Sequence, residues 1–169
     1  MSIYAIAIAV AALACATDLR SRRIPNMLTF GAALGALALH GAGEGVVGLK
    51  TATFGWLVGA ALFFPLFALG GLGAGDVKLL AALGAWLGPM GALQVAFYSS
   101  LAGGVMALVV AMRTGYLSTA LRNLKFMGTV WMTCGVGPVE GMTLTDQKGP
   151  RLAYAVPIFA GLVVTLCRQ

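Results

Sequence analysis

Apolar residues in this chain do not alternate with polar ones. They come in long blocks separated by short polar or glycine-rich interruptions. Residues 2–17 form the first block, which ends at Asp18 and the arginines Arg20, Arg22 and Arg23. A second block begins near Met27 and weakens through the glycines after His40; a third runs over 50–69 with Pro65 inside it. The fourth, 77–87, is short and stops at "GPMG"; the fifth covers 91–112, and the last, 152–167, carries Pro157. A helix needs about 20 apolar residues to cross a bilayer. The pattern therefore predicts an all-α, polytopic membrane protein, a bundle of about six transmembrane helices in one domain over 1–169.

Proline inside a block fits this reading, because neighbouring helices can satisfy the backbone groups it frees. The spacing of Gly31 with Gly35, and of Gly55 with Gly59, offers small faces for close helix contact. The connection at 113–151 is the one long stretch outside the blocks. Within it Leu117, Leu121, Leu124 and Trp131 recur at helical spacing, with Arg122 and Lys125 turned away. That pattern predicts a short helix lying on the membrane surface. The turn-rich "CGVGPVEGMTLTDQKGP" after it reads as a loop near the functional site.

Composition supplies the solvent. The chain is 60% hydrophobic and 9% charged, against about 25% charged in soluble domains, so most of its surface must meet lipid. The net charge of +6 lies between apolar blocks rather than on a basic stripe, which argues against nucleic acid as a partner. Nine of the basic residues, Arg20, Arg22, Arg23, Lys78, Arg113, Arg122, Lys125, Lys148 and Arg151, fall on one side of the expected topology, against Lys50 and Arg168 on the other. The basic side is expected to be cytoplasmic, with both chain ends outside. No Lys or Arg precedes the first block, so it reads as a retained span rather than a cleaved signal. Cys15, Cys134 and Cys167 are scattered without a CxxC pair, so neither a zinc site nor a disulfide framework is expected. Trp56, Trp86 and Trp131 read as interface or packing aromatics, and His40, toward the outer face, is assigned no chemistry.

Five acidic residues remain, and Glu44, Glu140 and Asp146 fall in turns or the long connection. Asp18 closes the first block and Asp76 opens the fourth, which puts both at the cytoplasmic end at one depth. Acids near hydrocarbon are costly and mark function. Two carboxylates in one poorly solvated cleft tend to share a proton, so one can activate water while the other polarises a carbonyl. Gly73 and Gly75 before Asp76 would then let a substrate backbone approach and would permit unusual dihedrals. Lys78 would sit at the headgroups, pair with an acid or tune the dyad. The plainer alternative makes Asp76 a helix cap and pairs Asp18 with a nearby arginine. Paired acids could also serve a proton- or cation-coupled transporter, although midplane acids and repeated halves would fit that better. A non-catalytic assembly protein is the third class.

"GAGD" at 73–76 resembles the GxGD motif of intramembrane aspartyl proteases, and "DLRSRRIPN" at 18–26 resembles the other aspartate segment of type IV prepilin peptidases. "GDVKLLAALGAWLG" and "AYAVPIFAG" are similar to further segments of that family. The resemblance implies a six-helix protease of the bacterial inner membrane that removes prepilin leaders at the cytoplasmic face. It makes Asp18 and Asp76 the catalytic pair, with no metal or cofactor. Prepilins or pseudopilins would be the substrates, and membrane lipid and pilus-assembly proteins the other partners. The tetracysteine zinc domain linked to N-methylation in longer members has no counterpart here. That resembles the short, peptidase-only branch of Flp/tight-adherence systems and makes methyl transfer an unexpected activity.

Overall fold

The computed structural model describes residues 3–139 and 152–168, and these are helical throughout apart from short links. The helices are α1 (Ile3–Ser21), α2 (Asn26–Ala68), α3 (Ala74–Arg113), α4 (Leu117–Cys134) and α5 (Ala155–Cys167). Three of them, α1, α2 and α3, are long and apolar enough to cross a membrane by length and composition, and α5 is a shorter apolar helix. The glycine-rich interruptions between the second and third apolar blocks, and between the fourth and fifth, fall inside α2 and α3.

Each of those two helices is broken at one glycine. Gly45 in α2 has φ 60° and ψ −137°, and Gly88 in α3 has φ 72° and ψ −179°. The second is a conformation open in practice only to glycine, and Pro89 favours the extended ψ. The chain reverses at both breaks. A Cβ placed on Gly48 would collide with the His40 carbonyl oxygen, and one on Gly84 would lie 3.1 Å from Ala92 Cβ. On an unbroken helix such residues would stand about 12 Å apart. His40 Nε2 also donates to the Trp86 carbonyl oxygen at 3.3 Å, tying the two reversals together. Residue identity alone assigns His40 no chemistry. Its partner is a carbonyl just before the Gly88 break, where the helical ladder is interrupted.

Small residues set the packing. The second arm of α2 lies against the first arm of α3 so closely that a Cβ on Gly55 would strike the Gly84 carbonyl, and one on Gly59 would come within 2.6 Å of Leu80 O. The expected small face at 55 and 59 is therefore used. At 31 and 35 only Gly35 faces a neighbour, the Trp86 ring, while Gly31 faces open space. Farther along α3, Ser99 meets Gly161 of α5, and Gly103 meets the Tyr154 ring. The first arm of α3 is enclosed on every side, with Leu79, Leu80, Leu83 and Trp86 in the core beside Phe63, Ile158 and Leu162. A helix apolar all round belongs at the centre of a bundle, and this one carries Asp76. The outer faces present Leu13, Leu34, Phe54, Phe97 and Val105 outward, as lipid contact requires.

Helix α4 buries no residue. Leu124 and Trp131 on its apolar face line an apolar space with Leu66 and Leu69 from the end of α2, in keeping with the surface helix expected over this stretch. Most of the turn-rich segment after it, with Glu140, Asp146, Lys148 and Arg151, lies outside the described residues.

Candidate active site

Asp18 sits in the last turn of α1, on the face that buries Ala7, Ala11 and Ala14. Its carboxylate Oδ2 accepts the backbone N–H of Ala155 at 3.3 Å, the first residue of α5. Helix N-termini favour negative charge, because their first N–H groups lack partners within the helix. Arg22 then takes φ 53°, a left-handed conformation uncommon for a non-glycine residue, and its N–H donates to the Asp18 carbonyl oxygen at 2.8 Å. Such a backbone costs on the order of 1–3 kcal/mol and persists where the surroundings fix it. The turn carries the chain through Ile24 to Pro25, the N-cap of α2.

Asp76 lies in the first turn of α3, whose N-cap is Gly73. Its Oδ2 accepts the Gly73 N–H at 3.2 Å, so one carboxylate oxygen satisfies a terminal backbone donor. The capping alternative is thus true of Asp76 in part: it caps, but from inside the helix, and it remains 9% exposed at the wall of a cleft. Asp18 is 8% exposed on the same cleft, which encloses about 400 Å³. Arg22, Arg23, Pro25, Gly73 and Lys78 complete most of its lining. Tyr154 immediately precedes Ala155, whose N–H meets Asp18. Tyr154 is fixed in turn by an edge-on contact with Phe63, at 5.8 Å between centroids.

One expectation for the glycines needs correction. Neither Gly73 nor Gly75 uses a dihedral reserved for glycine; Gly73 has φ −80° and ψ 148°, and Gly75 is helical. Gly75 instead permits close packing against the other aspartate segment, since a Cβ there would lie 3.2 Å from Ile24 Cβ. Lys78 reaches across to α2, where its Nζ donates to Asn26 Oδ1 at 3.0 Å and stands 5.3 Å from the Phe30 ring centroid. Ile24 and Asn26, the outer residues of the Ile-Pro-Asn turn, therefore lock onto the helix that carries Asp76. The sequence singled out that turn as a marker; the structure makes it the joint between the two aspartate segments. Ala155 was likewise missed, because a backbone donor leaves no trace in residue identity. Among the described residues no three His, Cys, Asp or Glu side chains gather as metal ligands would.

The segments that meet at this cleft lie mostly within residues 5–108, the stretch matched by the profile of the type IV leader peptidase family. The chain belongs to that family. Its relatives include the type 4 prepilin-like proteins leader peptide-processing enzyme of Escherichia coli O78:H11, 34% identical over 99 residues, 54% of this chain and 37% of that protein. The prepilin leader peptidase/N-methyltransferase of Xanthomonas campestris pv. campestris is 37% identical over 105 residues, 54% of this chain and 34% of the relative. That of Neisseria gonorrhoeae is 40% identical over 78 residues, 42% of this chain and 27% of the relative. The matched region spans about a third of the length of these curated relatives. No solved structure matches significantly.

Proposed function

We propose that this protein is an intramembrane aspartic endopeptidase that cleaves the leader from type IV prepilins of the Flp kind. Cleavage would occur at the cytoplasmic face of the bacterial inner membrane. The observation that carries this reading is the pair of buried carboxylates, Asp18 and Asp76, on one cleft at one end of the bundle. In the mechanism one carboxylate is ionised and takes a proton from water as the oxygen adds to the scissile carbonyl carbon. The other is protonated and gives its proton to the carbonyl oxygen. Collapse of the tetrahedral adduct returns a proton to the second carboxylate, while the first protonates the departing amine. The pair is then ready for another water. Acids in the end turns of their helices, rather than at mid-span, fit this chemistry better than a transport relay.

Mass spectrometry of a co-expressed Flp-type prepilin tests the proposal. Wild type should release the leader, and Asp18→Asn and Asp76→Asn should each lower cleavage by roughly 100-fold or more, as loss of a general acid or base does. Both variants should still insert into the membrane. Normal cleavage by either one would remove the dyad mechanism.

A further inference from the structure

Sharing Lys78 with the cleft is an apolar space of about 280 Å³, walled by Thr29, Phe30, Trp56, Ala60 and Ala81. Val77 and Lys78 belong to this space, and Lys78 to the cleft as well, so the two adjoin beside Asp76. The Lys78 Nζ is held on Asn26 and over Phe30, which turns the polar end of that side chain toward α2. Its methylenes are left to face apolar surroundings, as long basic side chains commonly do. The volume equals about nine waters at ~30 Å³ each, enough for a side chain of leucine to phenylalanine size. Its walls are almost wholly apolar, so water gains few hydrogen bonds there.

We propose that this space is the specificity subsite of the peptidase, receiving a large apolar side chain from a residue that flanks the scissile bond. The inference rests on the peptidase reading above and deepens it. A peptide bond placed between Asp18 and Asp76 brings its neighbouring side chains to the cleft wall, and the Lys78 border is where one of them can leave polar surroundings. Each methylene buried there strengthens binding about fourfold.

The test uses a co-expressed prepilin in which the two residues flanking the cleavage point are replaced in turn by Ala, Val, Leu and Phe. Wild type should favour Leu or Phe over Ala at one of these positions by roughly 10- to 100-fold. Ala60→Phe fills the space, so the ratio of large to small should fall by tenfold or more at that position only. Trp56→Ala enlarges it and should move the optimum toward the bulkiest residue. If Ala60→Phe fails to accumulate, Trp56→Ala still reads the ratio in the opposite sense. Cleavage with ratios unmoved by either variant overturns the subsite and makes the space a seat for lipid acyl chains. If wild type cuts none of the precursors, the peptidase reading falls and the subsite with it.

Discussion

Replacing Gly75 with valine should reduce leader cleavage by roughly 100-fold while the protein still inserts. The magnitude follows from the contact with the other aspartate segment. A Cβ on Gly75 would stand 3.2 Å from Ile24 Cβ, 3.4 Å from its Cγ1 and 3.5 Å from its Cδ1. Carbon contacts are comfortable at about 3.5–4.0 Å, so alanine asks for a shift of a few tenths of an ångström. Valine carries methyls about 1.5 Å farther and asks for on the order of 1 Å. That displacement separates the segment holding Asp18 from the helix holding Asp76, and a 1 Å misplacement of catalytic groups can cost about 100-fold. The stability cost of such overpacking is about 1–3 kcal/mol. Gly75→Ala should lie between wild type and Gly75→Val. The assay is single-turnover cleavage of a purified prepilin by detergent-solubilised enzyme, with Ile24→Ala added as a second substitution. Truncating Ile24 removes two of the three contacts, so Gly75→Val with Ile24→Ala should recover at least tenfold over Gly75→Val alone. Wild-type turnover in Gly75→Val would refute the packing argument. A double variant as slow as Gly75→Val would mean that the methyls obstruct the substrate backbone instead.

The rate of the cleavage step should pass through a maximum with pH, because a shared-proton pair works only in its singly protonated state. Below the optimum both carboxylates are protonated and none can accept a proton from water; above it both are ionised and none can polarise the carbonyl. A rate flat across the acidic and alkaline limbs would count against the pair. For orientation, single cysteines at Ser118 in α4 and at Gly43 in α2 should label from opposite sides, after Cys15, Cys134 and Cys167 are replaced. Gly43 has room for a side chain, with nothing within 4 Å of its Cβ position. Ser118 reacting from the cytoplasmic side and Gly43 from outside is the expected result, and labelling of both from one side would reverse the proposed placement of the cleft.

Hydropathy made the helical class legible because a lipid-facing bundle must announce itself in every span. The same blocks placed Asp18 and Asp76 at block ends, and the structure sets both on one cleft. Legibility stopped where chain segments meet. The pairing of Gly75 with Ile24 and of Lys78 with Asn26 has no periodicity, so each residue invited a local explanation such as backbone freedom or a lipid contact. Gly45 and Gly88 looked like members of loose turns, yet each alone supplies the reversal, with helix up to its neighbours. His40 was passed over because a lone histidine on an apolar stretch gives no hint of a carbonyl at a distant helix break.

The bond between Ala155 and Asp18 joins α1 to a helix synthesised well after it. Translation adds about 5–20 residues per second, so α1 spends several seconds or more in the membrane before α5 exists to meet it. Throughout that interval Asp18 lacks its backbone donor and part of the wall that buries it. On the proposed reading, proteolytic competence therefore waits for α5 to dock rather than growing with chain length. The nascent chain would then be its own zymogen, silent beside the precursors inserting next to it until α5 docks.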